Sequence, residues 1–172
     1  AHLAGLIFPD MEKDLARAGR LAKTDLVSEM VGEFPDLQGI MGGIYARLKG
    51  ESEAVSRAVS EHYLPAGQDS PIPQSKEGAL LAIADKIDTM VGCFGLKMIP
   101  TGAADPYALR RQALGVIRIV LGHDLFLSLS ELIDYTFAGY ENVEWKISFE
   151  ELKQELLNFF GQRLKAYWTG QG

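Results

Sequence analysis

The sequence predicts an all-α bundle of about seven or eight helices. Apolar residues recur with helical spacing along most of the chain, residues typical of helix caps precede several of these stretches, and no stretch alternates apolar and polar residues as a half-buried strand does. With 172 residues, 47% of them hydrophobic, the chain is long enough to bury a substantial core. We expect one helical domain over residues 1–172, with any sub-boundary near 122–128.

The first predicted helix covers residues 11–33, with a break near 23–25. Asp10 is expected to cap its start, because a carboxylate there can accept amide hydrogen bonds. Pro35 disfavours helical geometry at the residue before it, so this helix should end there.

Asp36 is then expected to cap a second helix, which runs to about residue 49 and is stopped by Gly50. Residues 51–62 are the next helix. Three prolines among residues 65–75 predict a loop.

A strongly patterned helix follows, from residue 75 or 76 to residue 92 or 95. Its apolar residues fall on one expected buried stripe, which consists of Leu80, Ile83, Ala84, Ile87, Val91 and Phe94.

A second loop, residues 100–104, precedes Asp105 and Pro106, a pair that typically starts a helix. That helix should end at Gly122. Its expected buried residues are Leu109, Ala113, Val116, Ile117 and Val120. Two last helices are predicted over 128–140 and 148–168, and Ser148 with Glu151 forms the capping pattern of the second.

Composition excludes several classes of protein. The chain has 17 Lys and Arg against 23 Asp and Glu, a net charge of −6, which argues against general nucleic-acid binding but leaves a local basic face open. A single cysteine, Cys93, excludes an internal disulfide framework and fits a reducing compartment, so we expect a cytoplasmic protein. The chain starts without an initiator Met or signal peptide, and we expect it to be a piece of a longer protein.

The histidines do not predict a metal site. His123 and Asp124 form the dipeptide for which the HD metal phosphohydrolases are named, but only His2 and His62 accompany them. Such a site needs imidazole and carboxylate ligands from several helices. We therefore interpret His123 as a residue at a helix end, where the helix dipole favours a cation.

Two groups of carboxylates can each be interpreted in two ways. Asp25, Glu29 and Glu33 are spaced along one face of the first predicted helix, and Asp85 and Asp88 form a pair on a later one. Paired carboxylates can hold a divalent cation. The alternative is that they are solvated or pair with arginines.

Arginines form the clearest candidate binding face. Arg111, Gly115 and Arg118 share one side of their predicted helix, and Arg110 adjoins them. Guanidinium groups suit phosphate oxygens, and a glycine between them would let a backbone approach closely. The alternative is that these arginines pair with Asp85, Asp88 or the carboxylates of the first helix.

No spacing predicts an active site. The loop at 100–102 precedes a helix start, which can bind phosphate, but Asp105 should occupy its free amides. Cys93 has no histidine near it in sequence and is expected to be buried. The glycine-rich motifs that bind nucleotides and the nucleophile-elbow motif are absent from the sequence.

Several segments together resemble the β chain of bacterial glycyl-tRNA synthetase. The longest is residues 23–42 (KTDLVSEMVGEFPDLQGIMG), and four shorter ones follow in order at 61–65, 84–92, 100–102 and 105–111. The resemblance runs from about residue 10 to 120.

This resemblance implies a two-chain ligase that joins glycine to its tRNA using ATP. In that family the α chain holds the aminoacylation site, and the β chain is needed for tRNA binding and assembly. The matching region is an HD-like helical domain, in which Glu33 and Phe34 stand where HD proteins carry their His-Asp pair and Asp85 where they carry their final aspartate. We therefore expect a degenerate HD-like domain with no catalytic residue, no metal ligand and no cofactor of its own; ATP and magnesium would be used by the partner α chain.

The resulting hypothesis is a helical segment that contacts the acceptor arm of tRNA-Gly and acts as a scaffold for the α chain and other β-chain domains. Arg110, Arg111 and Arg118 are the tRNA-binding candidates, with Lys86 and Lys97 as additions. One alternative is an HD-type metal-dependent phosphohydrolase, which requires Glu33, His62 and either Asp85 or Asp88 to converge on one ion. Another alternative is a pure protein-interaction module.

Overall fold

A computed structural model describes residues 8–170, and the prediction of an all-α fold is confirmed. Eight α-helices lie in that range: α1 (Glu12–Leu21), α2 (Glu29–Glu33), α3 (Ile40–Leu48), α4 (Glu53–Glu61), α5 (Lys76–Gly95), α6 (Leu109–Gly122), α7 (Leu129–Ala138) and α8 (Phe149–Trp168). Short 3-10 helices cover Pro9–Met11, Thr24–Val27 and Pro35–Leu37. Across residues 8–170, no helix combines the length and hydropathy needed to span a membrane.

The chain divides into two compact units, one ending at Ala84 and the other starting at Asp85. This division falls inside α5. A single domain with a sub-boundary near 122–128 stays a prediction.

In the first unit, α1 and α3 both pack on α4. The core of this packing consists of Leu15, Ala18, Ala46, Val55, Ala58 and Val59. Ser52 caps α4 by accepting a hydrogen bond from the Val55 amide at 3.2 Å. The start of α5 is held by Ser75, whose hydroxyl accepts from the Gly78 amide at 3.0 Å.

The predicted cap of the first helix is wrong, although the helix begins within one residue of the predicted start. Asp10 lies inside the 3-10 helix Pro9–Met11, and α1 begins at Glu12 without a side-chain cap. Because Pro9 occupies the first position of that 3-10 helix, Asp10 is already within the turn rather than before it. The predicted break near 23–25 is confirmed, since α1 ends at Leu21 and Lys23 has a φ of +66°.

The predicted cap of the next helix is also wrong. Asp36 lies exposed in the 3-10 helix Pro35–Leu37, and α3 begins at Ile40. The carboxylate that caps α3 belongs to Asp25, whose Oδ2 accepts from the amides of Gly39 at 2.6 Å and Gly42 at 3.1 Å. As predicted, α3 ends just before Gly50, which has a φ of +84°.

In the second unit, α8 packs on both α6 and α7. Their buried residues include Leu109, Ala113, Val116, Ile119, Leu132, Ile133, Leu152, Leu156 and Phe160. The predicted starts of α7 and α8 are confirmed, because Ser128 and Ser148 accept from amides three residues ahead at 3.3 and 3.2 Å.

Helix α5 is buried on more sides than predicted. Ala84 is only partly buried, but the other five residues of the expected stripe are buried. Ala79, Leu81, Ala82 and Met90, which lie off that stripe, are buried as well. Helix α5 therefore buries apolar residues on more than one side.

Helix α6 begins three residues later than Asp105 and Pro106 predict. Ala108 has a φ of +53°, which separates the turn at Pro106 from the first helical residue, Leu109. Asp105 nevertheless serves the helix start, because its carboxylate reaches across this turn. The helix ends at Gly122 as predicted.

Candidate functional site

The arginine face lies at α6. Arg111 is exposed, whereas Arg110 and Arg118 are partly buried. Because seven residues separate Arg111 from Arg118, the two lie on nearly the same side of the helix, about 10 Å apart along its axis. The sequence suggests that Gly115 lets a ligand backbone come close to the helix between the two arginines. That prediction is wrong, because Gly115 is buried.

Arg110 is held in place by the loop before the helix. Its Nη2 donates to the Gly102 carbonyl at 2.7 Å. That loop is closed by paired backbone hydrogen bonds between Thr101 and Ala104, at 3.1 and 2.9 Å, and Gly102 occupies the positive-φ position within it. Arg110 therefore presents its guanidinium beside an exposed, tightly turned loop.

Arg111 is the more accessible of the two neighbouring arginines. Among residues 8–170 its side chain makes no hydrogen bond or ion pair. An exposed guanidinium keeps all its donors available for a ligand, and phosphate oxygens match its geometry.

Asp105 occupies the amides at the start of α6, as predicted. Its Oδ1 accepts from the Leu109 amide at 2.8 Å and its Oδ2 from the Arg110 amide at 2.9 Å. Because these two amides are already bonded to a carboxylate, they are not available to an incoming phosphate. The arginine side chains are therefore the clearest anion-binding groups at this end of α6.

Of the two lysines considered as additions to this face, one is buried and the other is ion-paired. Lys86 is only 5% exposed. Lys97 bonds to Glu155 at 2.7 Å and to Glu151 at 3.3 Å, and the hydrogen bond to Glu155 raises the pKa of Lys97 above its usual value. Both carboxylates lie on α8, so this lysine joins its segment to α8 rather than facing a ligand.

The predicted carboxylate row on the first helix does not form. Asp25 is buried in the 3-10 helix Thr24–Val27, whereas Glu29 and Glu33 are exposed on α2. The chain breaks its helical path between them, so they do not share one helix face. In the second unit, Asp85 is partly buried and Asp88 exposed on α5.

The histidines take separate positions. His62 is fully buried, with its Nδ1 2.7 Å from the Val59 carbonyl oxygen and its ring in tilted contact with the Tyr63 ring, 3.9 Å between centroids. His123 directly follows α6, as predicted, and His2 lies outside the described residues. Over residues 8–170, no three His, Cys, Asp or Glu side chains are grouped so that they could hold a metal ion.

The expectation that Cys93 is buried is confirmed. Burial, reinforced by the charge of Asp105, raises the pKa of its thiol. A thiol with a raised pKa carries little thiolate at neutral pH and is a poor nucleophile.

Sequence reasoning missed one surface in the first unit. Ile40, Ile44 and Leu48 project outward from α3, while the small residues Gly42 and Gly43 face inward. The spacing of both sets is visible in the sequence. However, the usual expectation that large apolar side chains face the core assigns the wrong side of this helix to the interior.

The comparisons with known proteins agree on one family. The family model described as glycyl-tRNA synthetase beta subunit matches residues 1–172. A glycine–tRNA ligase beta subunit of Solidesulfovibrio magneticus is 60% identical over 99% of this chain and 25% of its own length. The corresponding protein of Oleidesulfovibrio alaskensis is 59% identical over 99% of this chain and 24% of its own length.

A more distant relative, the glycine–tRNA ligase beta subunit of Lawsonia intracellularis, is 52% identical over 93% of this chain and 23% of its own length. The chain therefore spans about a quarter of the length of the curated relatives it matches.

Proposed function

The chain belongs to the glycyl-tRNA synthetase beta subunit family, and from that premise we propose that it is a segment of the β subunit of a glycine–tRNA ligase, the enzyme that attaches glycine to tRNA-Gly at the expense of ATP. Its part in that enzyme is to contact the acceptor arm of the tRNA and to act as a scaffold. The α subunit holds the aminoacylation site and uses ATP and magnesium. The complex works in the cytoplasm.

The arginines at α6 carry the tRNA contact in this proposal. The supporting observation is the exposed Arg111, which has no side-chain partner among residues 8–170 and adjoins the loop-anchored Arg110. Arg118 extends the same side of the helix by about two turns. On a chain of net charge −6, a local cationic face can attract phosphate only at short range.

Contacts of this kind position the nucleic acid and carry no base specificity. Arginine forks bind phosphate oxygens whatever the neighbouring base is. We therefore assign these residues to orienting the acceptor arm toward the α subunit, and the choice of tRNA-Gly to other parts of the enzyme.

The test is the salt dependence of tRNA binding by the enzyme assembled from full-length α and β subunits. Replacing both Arg111 and Arg118 by alanine should weaken binding and lower the slope of log affinity against log salt by about 2, because each lost phosphate contact removes about one released counterion. Fluorescence anisotropy with labelled tRNA-Gly over a series of salt concentrations measures both quantities.

Arg20→Ala is the matched control, since Arg20 is an exposed arginine on α1 in the first unit. It should leave the slope unchanged. If Arg111→Ala and Arg118→Ala leave affinity and slope unchanged while the melting temperature falls, the arginines are structural and the proposed contact is wrong.

A further inference from the structure

Helix α3 has its large and small residues on the opposite sides from those of an ordinary surface helix. Its inward side carries Gly42, Gly43 and Ala46, all buried. Its outward side carries Ile40, Ile44 and Leu48, which are 49%, 44% and 76% exposed. These three residues form the α3 outer face. They are spaced four positions apart along about 12 Å of helix.

The orientation of α3 is fixed by close packing on α4. A Cβ atom on Gly43 would lie 2.7 Å from the Cβ of Ser60 and 2.8 Å from the Ser56 carbonyl oxygen, so no side chain fits there without movement. On Gly42 a Cβ would lie 3.0 Å from a methyl group of Val59. The helix therefore cannot rotate to bury its isoleucines, because the space at Gly43 leaves no room for a side chain and the space at Gly42 is tight.

Exposed apolar residues also lie in the segment that precedes α3. Leu26, Val27, Met30 and Phe34 are also exposed. Within the described part of the first unit, every large apolar side chain that is exposed lies between residues 26 and 48. Single exposed apolar residues are common on soluble proteins, but their concentration in one segment singles out this segment as a candidate for binding.

The charged residues that precede the α3 outer face in the chain differ in sign from those at its far end. Exposed carboxylates of Glu29, Glu33 and Asp36 precede the Ile40 end, and exposed Arg47 and Lys49 lie at the Leu48 end. Three exposed carboxylates in the segment that leads into α3 disfavour phosphate, so a protein partner suits this surface better than RNA. A complementary partner carries basic residues at one end of an apolar strip and acidic residues at the other.

We propose that the α3 outer face is the docking site for an amphipathic helix from the rest of the β subunit. The ridge formed by Ile40, Ile44 and Leu48 has the four-residue spacing that fits into the groove between rows of side chains on a second helix. The relatives are about four times as long as this chain, so three quarters of such a subunit is available to supply that helix.

Connection through the same chain also makes a small contact sufficient. A helix tethered to its site is present at an effective concentration in the millimolar range, so a short apolar ridge can be occupied without the area that separate molecules need. The inference rests on membership of the family and the length of its members. It does not depend on the proposed tRNA contact at α6.

Thiol labelling of the full-length β subunit tests the proposal. Ile44→Cys and Leu48→Cys place thiols on the α3 outer face, and Arg57→Cys places one at an exposed position of α4 as the matched control. Labelling by a maleimide is followed peptide by peptide by mass spectrometry, so other cysteines do not interfere. The face thiols should react at least about tenfold more slowly than the control, because a docked helix excludes the reagent.

Equal labelling rates at the face and control positions would overturn the proposal. Protection that requires a higher protein concentration would assign the face to a second copy. Protection only on addition of the α subunit, or only on addition of tRNA-Gly, would assign it to that partner instead. None of these outcomes bears on the salt slope at α6, so the two proposals fail separately.

The unmodified subunit provides a second measurement if a cysteine variant does not fold. Carbodiimide joins a lysine directly to a carboxylate in contact with it. Lys49 should be crosslinked to an Asp or Glu outside the 172 residues of this chain, because the docked helix is expected to be acidic at that end. Failure to find such a crosslink in the folded subunit would overturn the proposal.

Discussion

The starts of α3 and α6 are both held by an aspartate that accepts two backbone amides, but the two aspartates come from very different distances along the chain. Asp105 binds the amides of residues four and five positions ahead, at 2.8 and 2.9 Å. Asp25 binds those of Gly39 and Gly42, 14 and 17 positions ahead, at 2.6 and 3.1 Å. The first is a local cap, whereas the second joins a separate 3-10 helix to α3.

The difference matters for stability and for what each aspartate supports. Asp25 is 1% exposed and bonds to two buried residues, so its loss would leave unpaired amides away from water. Asp105 is partly exposed, so water can replace it. Asp25 also supports the helix that carries the α3 outer face, while Asp105 supports the helix that carries Arg110 and Arg111.

The largest effect should follow from Asp25→Ala. We expect the free energy of unfolding to fall by about 3 kcal/mol, since the side-chain hydrogen bonds of two buried amides are lost. Urea denaturation of the purified chain measures it. Asp36→Ala is the control, because Asp36 is the cap that the sequence suggests and yet lies exposed, and it should change stability by less than about 0.5 kcal/mol. Equal effects of the two variants would contradict the assignment of the cap.

A smaller effect should follow from Gly39→Ala at the same helix start. Gly39 has a φ of +82°, and a Cβ there would lie 2.8 Å from the Tyr63 ring, so alanine should cost about 2 kcal/mol. The matched change at the start of α6 is Ala108→Gly, where alanine already tolerates a φ of +53°; it should alter stability by no more than about 0.5 kcal/mol. If alanine at position 39 leaves the free energy of unfolding unchanged in the same measurement, the positive φ of Gly39 and its close contact with Tyr63 do not constrain the start of α3.

The smallest effect should follow from Asp105→Ala. A partly exposed local cap is worth about 1 kcal/mol, and Ser148→Ala at the start of α8 should cost a similar amount. Both can be read as shifts in the denaturation midpoint at unchanged slope. If Asp105→Ala lowers the free energy of unfolding as much as Asp25→Ala does, the local cap and the long-range cap do not differ in their contribution to stability.

The sequence was sufficient for features that depend on neighbouring residues. Ser128 and Ser148 correctly predict the starts of α7 and α8, and Gly50 and Gly122 the ends of α3 and α6. The sequence was insufficient where a residue far away along the chain determines how a helix starts. Asp10 and Asp36 are both of a residue type that caps helices, but each lies within a 3-10 helix. The start of α3 is capped by Asp25 instead of Asp36.

The same limit applies to the candidate site. The sequence identifies the arginines of α6 and the occupation of its first amides by Asp105, both of which follow from spacing along one helix. It could not show that Gly115 is buried, that Lys97 is paired with two carboxylates of α8 or that Lys86 is buried. Each of these depends on what packs against the residue, which periodicity does not report.

The sequence by itself determined the all-α class, most helix boundaries and the family, because each is carried by residue order and by hydrogen bonds that reach only a few positions along the chain. Tertiary structure alone decided which side of α3 faces inward and which carboxylate begins it. The reason is steric and electrostatic: only glycine fits against Ser56 and Ser60, and the amides of Gly39 and Gly42 bond to the carboxylate that folding brings to them.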